Sequence, residues 1–86
     1  MDINELILTV KKKIRDNISL EKIDVEDKTF LHKNHETHQL GKFHLKLTIK
    51  SSELKKMNKI ESTKKIYNIL DEELKTHIHS IQILIN

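Results

Sequence analysis

The chain contains no cysteine and no proline, and Gly41 is its only glycine. Without cysteine there is no disulfide framework, no thiolate nucleophile and no cysteine-based zinc site. That absence fits a reducing compartment, and the chain is expected to be cytoplasmic. Without proline, regular elements can run uninterrupted. A single glycine excludes the Gly-rich loops that cradle phosphates. Aromatic side chains number one Tyr and two Phe, too few for the stacking platforms of single-strand binders. No apolar run approaches the ~20 residues that span a bilayer. The start, Met1-Asp2-Ile3-Asn4-Glu5, is acidic and lacks the apolar stretch of a signal peptide, so no membrane role is expected.

What is present suffices for a fold. The 86 residues are expected to form a single domain, 1–86, with a modest core. Charged residues make up 34% of the chain, but Leu, Ile, Val and Phe together number 28 of 86. That fraction is well above the roughly one-fifth below which chains stay disordered. The net charge is +3, carried almost wholly by lysine, with Arg15 the single arginine. A modest positive balance permits nucleic-acid contact without requiring it, and direct base reading favours arginine.

Periodicity supplies the elements. Ile3, Leu6, Ile7, Val10 and Ile14 share one face of a helix over residues 2–15, with Asp2 as its cap and Glu5 in the capping-box position. Lys11, Lys12, Lys13 and Arg15 then sit where cations suit the helix dipole, a structural explanation for that run. Residues 20–27 read as a strand in which Ile23 and Val25 alternate with Lys22, Asp24 and Glu26. In residues 43–49, Phe43, Leu45, Leu47 and Ile49 point one way and His44, Lys46 and Thr48 the other, as in a sheet covered on one face. The connection between these strands is much longer than a hairpin loop. Ser51 and Ser52 are helix caps, and Leu54 and Met57 anchor a short helical turn. Asn58 and Glu61 form a second cap-like pair. A longer helix then carries Ile60, Thr63, Ile66, Tyr67, Ile69, Leu70 and Leu74. Residues 79–85 close the chain as a strand, Ile81, Ile83 and Ile85 alternating with Ser80, Gln82 and Leu84. The order is α-β-β-α-α-β, an α+β fold with helices covering one face of a three-stranded mixed sheet. Its last two strands are joined through helices and so can be parallel, by a crossover expected to be right-handed.

Two groups of residues could carry chemistry. His32, His35, His38 and His44 lie in or beside the long connection, and imidazole is a ligand for zinc, copper, nickel and iron. The alternative is a polar loop of solvated histidines. His35-Glu36-Thr37-His38 imitates a zincin motif, but its histidines are three apart rather than four and sit in a loop, so a metalloprotease is excluded. No serine occupies a nucleophile elbow, and Glu72 and Glu73, adjacent on a helix, do not face one another. No enzymatic activity and no small-molecule substrate are expected. The second group is Lys55, Lys56, Lys59, Lys64 and Lys65, around the start of the longer helix. It is either a phosphate-contacting surface or a solvated helix face.

The chain resembles the BolA family over nearly its whole length. Val25-Glu26-Asp27-Lys28-Thr29-Phe30-Leu31-His32-Lys33-Asn34-His35 is similar to the family's first strand and D-x-S-x-x-H-x-G-H loop. His44 with Leu45-Lys46-Leu47-Thr48-Ile49-Lys50-Ser51 resembles its H-F-x-V-x-I-V-S strand. Ile66-Tyr67 and Leu70-Asp71-Glu72-Glu73-Leu74 resemble its V-Y and L-x-E-E-L helix, and Ile78-His79-Ser80 its I-H-A start of the last strand. The resemblance implies a fold similar to class II KH domains. It implies a non-enzymatic adaptor that binds a monothiol glutaredoxin, shares a [2Fe–2S] cluster with it and takes part in cluster assembly, trafficking or iron regulation. Alone, the chain would hold no cofactor. His32, His35 and His44 are the expected metal-site residues. The alternative it implies is a DNA-binding transcriptional regulator, with Lys55, Lys56, Lys59, Thr63 and Lys64 as the partner or nucleic-acid surface. The pattern F-x-G-x-x-x-V-x-R-H-R is departed from: Lys56 stands at its glycine and Thr63 at its histidine. A hydroxyl is a poor donor to iron, which takes soft sulfur or nitrogen ligands.

Overall fold

The computed structural model describes residues 2–29 and 42–86. Helix α1 spans Ile3–Asn17; the Asp2 side chain accepts the Glu5 amide at 2.8 Å, and Ile18, already extended, ends the helix by donating to the Ile14 carbonyl. Leu6, Val10 and Ile14 are buried, the stripe that helical spacing selects. Strands β1 (Lys22–Asp27) and β2 (Phe43–Lys50) pair antiparallel, Val25 opposite Leu47 and Ile23 opposite Ile49. Strand β3 (Ile78–Ile85) lies parallel to the other edge of β2, giving the order β1-β2-β3.

Because side chains alternate along a strand, this register sorts the sheet cleanly. Ile23, Leu45, Leu47 and Ile49 meet Leu6, Val10, Ile14, Leu54, Ile66, Leu70 and Ile78 in one core, with Ile81, Ile83 and Ile85 packed against it. All the helices contribute to that one side, as the α+β reading expects. The opposite face carries Lys22, Asp24 and Glu26 of β1 beside Lys46 and Thr48 of β2.

Between the parallel strands come three helical pieces: α2 (Ser52–Lys55), α3 (Lys59–Ile69) and α4 (Asp71–Thr76). Ser51 caps α2: its hydroxyl accepts the Leu54 amide at 3.1 Å and donates to the Ser19 carbonyl at 2.7 Å. Asn58 caps α3 by accepting the Glu61 amide at 2.8 Å. Ser52 is not a cap but the first residue of α2.

The single longer helix expected from the apolar spacing is instead interrupted. Leu70 leaves helical geometry, φ −99° and ψ 16°, and is fully buried. The three acids that follow, Asp71, Glu72 and Glu73, occupy the first turn of α4, where negative charge suits the start of a new helix. The break directs Glu73 inward and Glu72 outward. Lys13 of α1 meets the buried Glu73 Oε2 at 2.5 Å and reaches the exposed Glu72 at 3.6 Å. The hydrogen bond to Glu73 holds the Lys13 ammonium above its ordinary pKa.

Candidate functional site

The long connection leaves and rejoins the sheet at His44. After β1, the Asp27 carboxylate accepts both the Thr29 amide, at 2.9 Å, and the Thr29 hydroxyl. This is the local turn that an Asp favours two residues before its partner. The Thr29 hydroxyl in turn accepts the His44 amide at 3.2 Å, and the Lys28 amide donates to the His44 carbonyl at 2.7 Å. Asp27 and Thr29 therefore pin the end of β1 to the start of β2. On the other side, the Phe43 amide donates to the His77 carbonyl at 2.9 Å, joining the same point to the foot of β3.

At this junction β3 carries one extra residue. Phe43 pairs with Ile78 and the next residue, His44, with Ser80, so His79 forms a bulge. Bulges re-aim a side chain, and this one sets the His79 ring 4.8 Å from the His44 ring, tilted by 59°. Ser80, in register with His44, places its hydroxyl 2.6 Å from His44 Nδ1. His44 lies on the sheet face expected from its spacing, yet it is only 7% exposed. The sequence pattern grouped it with the half-exposed Lys46 and Thr48; in the structure the Ser80 hydroxyl and the His79 ring lie against it. His79 is exposed. A cavity of about 240 Å³ opens beside His44, bordered also by Lys28, Lys46, Ser80 and Gln82.

Of the expected metal-site residues, His44 is here, while His32 and His35, with His38, fall outside the described residues. Among the described residues no three His, Cys, Asp or Glu side chains converge as a metal site would need. His79 has no role in the sequence reading beyond its place in the Ile78-His79-Ser80 tripeptide. Alternation along β3 gives no sign of a bulge, so nothing in the spacing placed it against His44.

Thr63 is elsewhere. It borders a cavity of about 360 Å³ with Leu54, Met57, Lys59, Ile83 and Ile85, and a second of about 490 Å³ with Ile60, Lys64 and Tyr67. Ile83 and Ile85 lie three to five residues beyond Ser80, some ~10–16 Å along the strand. The structure thus brings His44 and His79 together and keeps Thr63 apart from both. Lys55, Lys56, Lys59 and Lys64 are exposed around the start of α3. Lys65 instead pairs with Glu53 at 3.2 Å; that bond, with a longer one from the Ser19 amide, pulls the Glu53 carboxyl below its ordinary pKa.

A helix-covered mixed sheet in this order, with His44 and His79 at one end of it, defines a small α+β fold. A sequence model of the BolA-like protein family matches residues 14–86. The chain belongs to that family. A search of curated proteins finds no relative of significant similarity. Among solved structures, the fold matches the BolA domain of SufE1 from Arabidopsis thaliana with a TM-score of 0.82 at 21% identity, over 99% of this chain and 94% of that one. BolA1 from the same plant matches with a TM-score of 0.76 at 22% identity, over 93% and 88%. Mouse BolA1 matches with a TM-score of 0.74 at 18% identity, over 92% of this chain and 62% of that one. At these identities the likeness is one of fold. No helix among the described residues is long and apolar enough to cross a membrane.

Proposed function

We propose that this chain is a non-enzymatic adaptor that docks on a monothiol glutaredoxin and shares a [2Fe–2S] cluster with it, His79 donating one imidazole. The carrying observation is the His44–His79 contact, built by a bulge at the point where the histidine-bearing connection rejoins the sheet. A neutral imidazole is a competent iron ligand, and the groups behind a ligand fix its orientation. Here the exposed His79 is the donor, and the buried His44, tied to Ser80, is the wall that positions its ring. His32 and His35 are the candidate second donors, on the family pattern. Thiolates must come from the partner, since this chain has none. The Thr63 hydroxyl fits an iron site poorly and borders different cavities.

The test is to mix the chain with cluster-loaded monothiol glutaredoxin and record visible absorption and circular dichroism. The spectrum should change for the native chain, be lost in His79→Ala, weaken in His32→Ala/His35→Ala, and be untouched by Thr63→His. An unchanged spectrum and no complex with the native chain would refute the adaptor reading. A response to Thr63→His without one to His79→Ala would move the ligand to α3.

A second reading, phosphate contact, draws on the exposed Lys55, Lys56, Lys59 and Lys64. It predicts nucleic-acid affinity that falls steeply with salt, and no binding at low salt would end it.

A further inference from the structure

Four large apolar side chains are exposed in the described structure: Leu8, Ile60, Tyr67 and Leu84. Two of them, Ile60 and Tyr67, share one surface. Thr63, Lys64 and Tyr67 lie three, four and seven residues after Ile60 along α3, so the four form a single stripe. Ile60 is 70% exposed and Tyr67 44%. The cavity under this stripe meets the cavity against the end of β3 at Lys59 and Thr63, which border both. Beyond them lie the half-buried Ile83 and Ile85. The result is one continuous apolar groove between the outer face of α3 and the end of β3.

Its rim is basic. Lys55, Lys59 and Lys64 border the two cavities, and none of them has an ion-pair partner among the described residues. The nearby carboxylates are already engaged: Glu53 by Lys65 at 3.2 Å, and Glu61 by the Asn58 side-chain amide at 2.8 Å. Uncommitted positive charge around exposed Ile60 and Tyr67 suits an occupant that is negative at its edges and apolar along one side. Duplex DNA offers the charge but little to bury the apolar residues against.

We infer that this groove docks an acidic amphipathic helix of a partner protein. Two turns of such a helix present apolar residues at spacings of three or four along ~11 Å, the length over which Ile60 to Tyr67 runs. Its carboxylates then face Lys55, Lys59 and Lys64. The groove lies at the far end of β3 from His44 and His79, so a second protein can sit here while that end is engaged. The inference does not depend on the cluster reading, because it needs neither metal nor glutaredoxin.

The experiment selects a display library of helical peptides, with apolar and charged positions randomised, against the full chain without cluster. Recovered sequences should be acidic, with apolar residues at intervals of three and four. Measured by fluorescence anisotropy, their affinity should fall about tenfold or more in Ile60→Ser and in Lys59→Glu/Lys64→Glu, and fall with salt. The replaced side chains are exposed, and far-ultraviolet circular dichroism checks that the variants stay folded. The inference is overturned if no peptide is recovered, if the recovered peptides are not acidic, or if Ile60→Ser binds them as well as the native chain. It is equally overturned if a DNA duplex binds this face and Ile60→Ser leaves that binding intact, since the lysines would then serve phosphate.

Discussion

Replacing Lys13 by methionine should destabilise the protein more than removing its partner, Glu73. The Glu73 side chain is 6% exposed and rests on α4 with Oε2 against the Lys13 ammonium, 2.5 Å away, while Oε1 has no hydrogen-bond partner in the described structure. Lys13→Met keeps most of the side-chain volume and strands a buried carboxylate. A hydrogen bond to a charged group contributes about 1.5–3 kcal/mol, and orphaning a fully buried ion costs about 3–5 kcal/mol. The Lys13 side chain is 34% exposed, so water enters once it is gone, and the lower range applies: about 1–3 kcal/mol. Glu73→Leu removes the buried charge with its unpaired oxygen and leaves Lys13 to solvent, at a cost of roughly 0–1 kcal/mol. The double variant should lie near Glu73→Leu.

Urea unfolding followed by circular dichroism measures each midpoint, and an unchanged slope shows that the denatured state is not responsible. The pH dependence has a definite sign. Contact with Glu73 raises the folded pKa of Lys13, so its stabilisation is fully present below the unfolded value, near ~10.4. It is lost as pH rises through the folded value. The gap between native chain and Lys13→Met should therefore hold from neutral pH upward and close only in strong alkali. If Glu73→Leu proves the costlier change, or Lys13→Met falls within about 0.5 kcal/mol of the native chain, the account of this pair is wrong.

Other substitutions probe other parts of the structure. Leu47 is fully buried at the centre of the middle strand, and Leu47→Ala should cost about 2–5 kcal/mol in the same assay. Ser51→Ala removes both the cap on the Leu54 amide and the bond to the Ser19 carbonyl; a loss of about 1–2 kcal/mol is expected, and a thermal midpoint within a degree or so of native would contradict it. His44→Ala should lower stability by about 1–2 kcal/mol, while His79→Ala, at an exposed position, should leave the melting curve almost unmoved; the reverse order would undo the division of labour between the two rings. Glu53 has its carboxyl pKa lowered by Lys65 and the Ser19 amide, so it stabilises the fold above its unfolded value of ~4.3. Native chain and Glu53→Gln should differ near neutrality and converge in acid, and parallel pH profiles would argue against the contact.

What the sequence made legible was whatever repeats at a fixed period or sits at a fixed offset. The stripe Leu6-Val10-Ile14, the alternation Leu45-Leu47-Ile49 and the caps Asp2, Ser51 and Asn58 are local rules, and the structure follows each of them. Leu70 was not legible, because its apolar spacing is the same whether the helix continues or breaks there. The candidate site was half legible. The histidine-bearing connection and His44 stand out by residue type and by family pattern. His79 joins them only through an extra residue in β3, and a bulge between parallel strands leaves no periodic trace. The surface of Ile60 and Tyr67 was hidden for a related reason: spacing along α3 marks both as part of an apolar face, and only packing shows which of those side chains the core leaves out.

The placement of these two surfaces has a mechanical consequence. Both are borders of β3, His79 and Ser80 at its start and Ile83 to Ile85 at its end. Between them the strand is held to β2 by a regular parallel ladder from Ser80 to Ile85, and its Ile81, Ile83 and Ile85 pack on the core. A regular spacer keeps two occupied ends from competing, and it passes little from one to the other unless an end has a second packing arrangement to switch into. Occupancy of the groove should then leave the His79 end unaltered. A pull by one end on the other would need the one irregular feature of the strand, the bulge at His79, to move. Adding a groove-binding peptide and recording the nuclear magnetic resonance shifts of His44 and His79 tests this. Unmoved imidazole signals are expected, and shifts there as large as those of Ile60 or Leu84 would show that the strand couples its two ends.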